Sequence, residues 1–274
     1  MRALFLTALA MIAFAANSLL CRVALKDTAI DAATFTTIRI VAGAITLWII
    51  VRLRHRVAGA QGSWPSAFWL FAYAAGFSFA YITLTAGTGA LLLFGAVQAT
   101  MIGFGLWHGE RLRALQMSGL VLAFGGLAGL LLPGLSAPPL AGAALMLFAG
   151  FAWGMYSLRG RAAGGDPTTV TAGNFLRAVP FAALVSLAWL AHASLDAAGV
   201  VYAVASGAIA SGVGYAIWYT ALPLLKATTA ATVQLSVPVI AAVGGILFLG
   251  EALTLRLVLA STAILGGIAL VIRK

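Results

Sequence analysis

The feature that most limits what this chain can fold into is a succession of ten apolar stretches joined by short links. They cover 3–24, 33–51, 66–86, 88–107, 114–132, 138–158, 168–191, 198–221, 227–249 and 254–272. A helix of roughly 20 apolar residues crosses the hydrocarbon layer of a bilayer. Several links contain Gly or Pro, as in PGLSAPP (133–139) and GGDP (164–167). The links leave no length for a soluble domain. Only 8% of the 274 residues are charged, against about 25% in an ordinary soluble domain. The sequence therefore predicts an all-α membrane protein with ten transmembrane helices.

A net charge of +10 does not by itself indicate nucleic acid. The basic residues fall in short clusters between apolar runs, without interleaved aromatics, which is the pattern of topology signals. No nucleic-acid partner is expected; the expected surroundings are lipid. With ten spans both termini share one side. That side carries eleven Lys and Arg (Arg2, Arg52, Arg54, Arg56, Arg111, Arg113, Arg159, Arg161, Lys226, Arg273 and Lys274), and the other carries three, Arg22, Lys26 and Arg256. The bias predicts an inner-membrane protein with both termini cytoplasmic. The lone cysteine, Cys21, gives no disulfide framework, and His55, His108 and His192 form no ligand pair. Neither metal nor cofactor is expected. The opening MRALFLTALAMIAFAA has the composition of a secretory signal as well as of a span.

The chain matches itself. A shift of 141 lays Gly109-Glu110 on Gly250-Glu251 and Gly125-Gly126 on Gly266-Gly267. A shift of 137 lays AFAANSLLCR (13–22) on GFAWGMYSLR (150–159), and a shift of 138 lays Arg39 on Arg177. The first span thus has a partner in the sixth, which favours keeping it as a helix. Five spans per half is an odd number, so the second copy, 136–274, enters the membrane from the side opposite to the first, 1–135. The expectation is two inverted five-helix repeats, a plan many secondary transporters share.

Each Gly-Glu pair follows an apolar run. Gly109 and Gly250 can take the left-handed conformation that ends a helix. Glu110 and Glu251 are then expected in the first turn of the next helix, facing the positive end of its dipole. They read as hinge residues of tight hairpins, with a gating or proton-exchange role as the alternative.

The segment YTALPLLKATTAATVQLSVPVIAAVGGILFLGEALTLRLVLASTAILGGIALV (219–271) resembles the last two helices of the drug/metabolite transporter superfamily, in its ten-helix exporters built of two EamA-like halves. The resemblance rests on a short basic turn, on Pro238, on Gly250-Glu251 and on Gly266-Gly267. The first half matches through Arg39 and GERLRALQMSGLVLAFGGLAG (109–129), but has Val97 where the second half has Pro238, so its fourth helix is expected to be straighter. The resemblance implies an exporter of small metabolites, amino acids among them, and not an enzyme.

Polar and aromatic residues in mid-helix are candidates for a substrate path. Tyr73, Phe77 and Tyr81 recur every four residues, and Ser211, Tyr215 and Trp218 share a face of the eighth span. Asn17, Gln98, Trp153, Tyr156 and Gln234 complete the set of expected substrate contacts. The amides also read as helix–helix bonds, worth about 0.6 kcal/mol each on average. Arg39 and Arg177 are buried charges that cost roughly 2.5–3.5 kcal/mol to insert. They read as structural donors to carbonyls, or as attractors of anionic groups.

An integral enzyme would need a nucleophile and base at depth, yet no mid-span His, Asp or Glu occurs. A channel would want charged rings or filter loops, and none is visible. What remains is a carrier of small organic solutes, expected to be amino acids including aromatic ones, working by alternating access to a central cavity. A proton-coupled exporter of drugs or cationic metabolites is the alternative. With every acid in a link or at a helix end, transport is expected to run down the cargo's own gradient.

Overall fold

The computed structural model describes residues 1–54, 61–109, 111–134, 136–225 and 227–272, without the side chains of 161–163, 227, 228 and 231. Glu110, His55, Arg56, Lys226, Arg273 and Lys274 lie outside the described residues, as does the Arg161 side chain. Ten helices follow one another: α1 (Arg2–Asp27), α2 (Ala32–Leu53), α3 (Trp64–Tyr81), α4 (Ala86–Trp107), α5 (Ala114–Leu131), α6 (Leu140–Ala163), α7 (Pro167–Ala188), α8 (Ala197–Leu224), α9 (227–249) and α10 (Leu255–Ile272). No strand occurs among the described residues. All but α3 carry a window long and apolar enough to cross a bilayer. The exception, at 18 residues, is as long as α5 and α10 but less apolar, because Trp64, Pro65, Ser66, Trp69, Tyr73, Ser78 and Tyr81 lower its hydropathy. Thr85 accepts from the Thr88 N–H and starts α4 at Ala86, so 82–85 becomes a turn rather than the end of a span.

The acids have a shared purpose. Asp31, Asp166 and Asp196 each accept from backbone N–H groups in the first turn of α2, α7 and α8. The first N–H groups of any helix lack an internal partner, and such a cap contributes about 1 kcal/mol.

Several of the helix contacts pair up when the two halves are exchanged, as an inverted repeat would have them. The α3–α6 contact has its counterpart in α8–α1, α4–α6 in α9–α1, and α3–α7 in α8–α2, while α2–α7, α4–α9 and α5–α10 map onto themselves. The α5–α10 seam is backbone against backbone. A Cβ on Gly119 would stand 2.5 Å from the Gly267 carbonyl oxygen and 2.7 Å from Leu270 Cβ. Outward faces remain apolar, as at Phe124, Leu247, Phe248 and Leu259, because lipid and not water covers them.

Two helices are irregular near their centres. In α8, Ser206–Val213 is wound as a π-helix between α-helical Ala197–Ala205 and Gly214–Ala221. In α9, Ala227–Gln234 and Ser236–Leu249 are separate segments. Pro238 lacks the N–H that would close a turn onto the Gln234 carbonyl, which breaks the helix there. Its counterpart α4, with Val97, runs unbroken.

Candidate functional site

A cavity with about 30 Å³ of space for water-sized molecules lies at mid-bundle, walled by α1, α3, α4, α6, α8 and α9. The main contributions are Phe14 and Asn17 from α1, Tyr73 and Phe77 from α3, Trp153 from α6, Tyr215 from α8 and Gln234 beside the α9 break. The rings touch in sequence. Trp153 stacks on Tyr215 at 5.4 Å and 20°, Tyr73 meets Trp153 at 4.8 Å, and Phe14 meets Tyr215 at 5.6 Å. Such pairs contribute about 0.5–1.5 kcal/mol each beyond their burial. They also fix the wall.

One polar chain supports this wall. Arg39, in α2 and 2% exposed, donates from Nη2 to the Tyr73 hydroxyl at 3.0 Å. Its guanidinium lies 4.8 Å from the Phe77 ring centroid and 5.3 Å from that of Tyr73. Asn17 donates to the same hydroxyl at 3.4 Å and accepts from Ser206 at 2.6 Å. The π-helix therefore presents Ser206 to Asn17 and Ala210 to the cavity.

Of the residues expected in the site, Asn17, Tyr73, Phe77, Trp153, Tyr215 and Gln234 line this space. The rest sit behind it or elsewhere. Tyr81 packs edge-on to Phe77 at 4.7 Å and donates to the Ala86 carbonyl. Tyr156 contacts Trp153 and accepts from Asn174. Trp218 packs on the far side of Phe14. The i→i+5 winding of α8 disrupts the sequence periodicity, and the Ser211 hydroxyl is buried without a partner. Gln98 faces a separate, aliphatic cavity between α4, α5 and α10. Phe14, Ser18, Leu93, Phe94 and Ala210 line the site without having been singled out. The match of AFAANSLLCR to the second half, which pairs Phe14 with Phe151, was the signal for Phe14.

Each end of the bundle is closed by charged contacts. At one end Glu251 accepts from the Ala86 N–H at 2.9 Å and pairs with Arg22 at 3.4 Å. This corrects the expectation that Glu251 serves its own hairpin, since α10 begins only at Leu255 and the carboxylate serves the first turn of α4 instead. Gly250 is left-handed at φ 62° and Gly109 has φ 90°, as helix-ending glycines. Arg22 also donates to the Tyr81 and Ile82 carbonyls, Lys26 to that of Leu249, and Arg256 to that of Leu132. At the other end Arg177 donates to the Gln61 and Gly173 carbonyls, and Asn174 accepts from the Ser63 N–H. Arg39 and Arg177 thus occupy matched positions with different partners. Among the described residues no cluster of His, Cys, Asp or Glu could hold a metal ion.

A multi-pass helical bundle with an aromatic-walled cavity between its helices is an arrangement that secondary transporters use. The EamA-like transporter family model matches residues 140–273. Over 272 residues, 99% of this chain and 94% of the relative, the chain is 60% identical to the uncharacterized protein PA1977 of Pseudomonas aeruginosa. It is 38% identical over 143 residues to the threonine/homoserine exporter RhtA of Escherichia coli K12, covering 49% of this chain and 47% of that protein. A crystal structure of a protein 19% identical in sequence superposes with a TM-score of 0.69 over 98% of this chain and 96% of that one, a likeness of fold. Residues 140–273 thus form an EamA-like transporter domain, of the drug/metabolite transporter superfamily.

Proposed function

We propose that the protein exports small organic solutes, principally amino acids including aromatic ones, by alternating access to the central cavity. Residues 1–135 and 136–274 act as the two units that move about it. The observation that carries this reading is the cavity, which takes flat aromatic walls from both halves together with Asn17, Ser18, the Tyr73 hydroxyl and Gln234. Similarity to a threonine/homoserine exporter favours amino acids as the class. The protein sits in the inner membrane with both termini in the cytoplasm. Flux runs down the cargo gradient, because the acids lie in links or at helix ends and Glu251 is engaged by Arg22 and the start of α4.

Purified protein in proteoliposomes loaded with unlabelled phenylalanine or threonine is expected to accumulate the labelled amino acid transiently, by counterflow, without a pH gradient. Trp153→Ala should reduce that rate at least tenfold with the protein still folded. Absence of counterflow for every amino acid tried, or accumulation that strictly requires an imposed pH gradient, would sink the reading.

A further inference from the structure

Behind the cavity wall stands a buried positive charge, with no negative one among the described residues to answer it. Arg39 is 2% exposed, and its Nη1 has no hydrogen-bond partner among the described residues. The ion pairs formed by described residues are Arg22–Glu251 and Lys26–Asp27, so no carboxylate reaches Arg39. Aromatic faces partly stand in for one, through Phe77 and Tyr73. They do not neutralise it. An arginine cannot shed its proton to escape this position.

The charge reaches the cavity through a single atom. The Tyr73 hydroxyl oxygen already accepts from Arg39 Nη2 and from Asn17 Nδ2. A phenol has two acceptor positions and one proton to donate. Both acceptor positions are taken by donors, so the proton must point elsewhere, and no described residue accepts it. Tyr73 lines the cavity. Accepting from a guanidinium polarises the hydroxyl and makes it a stronger donor. The wall thus offers one charge-assisted donor and no anionic acceptor. Across from it lies Gln234, whose carbonyl lost its helical donor to Pro238.

We infer that Tyr73, charged through Arg39, receives the anionic end of the cargo, so that a carboxylate is required and solutes that are only cationic are rejected. This rests on the carrier reading above and narrows it, removing cationic drugs from the cargo class. Tyr73 makes the contact; Arg39 positions and polarises it. A carboxylate in the cavity also supplies the missing counter-charge, which ties cargo occupancy to the stability of the centre.

The test uses the purified full chain and two sets of probes, phenylalanine with 3-phenylpropionate and phenethylamine, and threonine with 3-hydroxybutyrate and 1-aminopropan-2-ol. Calorimetric titration and counterflow are read for each. The wild type should bind one amino acid and its deaminated acid, with the decarboxylated amine weaker by tenfold or more. Tyr73→Phe keeps the ring stack and should weaken both carboxylates about tenfold, leaving the amine unchanged. Arg39→Lys, which keeps a charge at this depth, should retain part of the preference where Arg39→Gln loses it. If the amine binds as tightly as the amino acid and Tyr73→Phe changes nothing, the inference falls while the amino-acid carrier stands. If only the deaminated acids bind, the inference stands and amino acids fall as the cargo. Binding of the amines alone, or of none of the six, overturns both.

Discussion

At the end of α9, two adjacent residues divide their work between near and far. Gly250, left-handed, turns the chain, and the Glu251 N–H closes back on the Gly245 carbonyl. The Glu251 side chain then leaves its own hairpin for α4 and Arg22. With side chains 7% and 12% exposed, this contact is shielded enough to matter, unlike an open surface pair. Glu251→Gln is expected to lower stability by about 1.5–3 kcal/mol, the range for hydrogen bonds to charged groups. Arg22→Ala should cost a similar amount. The double variant should lose less than the two combined, because each single change strands the other partner. Melting curves of the four proteins in detergent measure this, and strict additivity would refute the coupling. The sequence marked Gly250-Glu251 by repetition, and the turn followed from local chemistry. The partner did not, because α4 lies 165 residues away and only the fold brings it near. Tyr73 and Arg39 were legible separately, as polar groups out of place, but their hydrogen bond was not.

Among the elements, α2 shows how a helix start is tied to the bundle. Asp31 accepts from the N–H groups of Ala33 and Thr34 and also from that of Ser194, across the turn before α8. Burial pulls its carboxyl up, but the hydrogen bonds from Thr34, Ser194 and Ala33 outweigh this and hold it below its ordinary value. A depressed folded pKa means stability that is fully present above the unfolded value, about 3.9, and lost as the pH falls through the folded one. The melting temperature of the wild type should therefore exceed that of Asp31→Asn at neutral pH. The gap should close below about pH 4, and a gap unchanged to about pH 2 would contradict the assignment. The helix-ending glycines, Gly109 and Gly250, could be read from the sequence because a left-handed end obeys a local rule. The π-wound Ser206–Val213 could not, since SGAIASGV has no pattern distinguishing it from an α-helical stretch of small residues. Its winding depends on α2, where Gly207 packs against the Arg39 backbone.

Over the whole molecule, lipid made the ten spans legible, because every backbone group in a bilayer must be satisfied within a helix. Which helices touch was not legible, and the α5–α10 seam at Gly119 and Gly267 emerges only in the fold, because packing partners are set by distant parts of the chain. Charge adds a point about orientation. The three cations on the sparser side, Arg22, Lys26 and Arg256, each bond carbonyls at the C-terminus of another helix. They are held in place by the fold, so the excess on the opposite side remains the orienting signal. Single cysteines at Arg111 and Ser136, both exposed and on opposite ends, test this, since native Cys21 is fully buried. An impermeant thiol reagent added to intact cells should label the Ser136 variant and spare the Arg111 variant until the membrane is opened. The reverse pattern would invert the topology.

The break in α9 has a consequence for direction. A carrier whose two conformers were images of one another under its internal twofold would meet its cargo identically from either face. Here one repeat has a pivot at Leu235 and the other has an uninterrupted α4 in its place. The matched arginines likewise hold different partners. On the alternating-access reading proposed above the degeneracy is lifted, and the two faces of the membrane are expected to present sites of unequal affinity. A concentration difference alone sets the sign of net flux, but the half-saturation measured from one compartment will differ from that measured from the other.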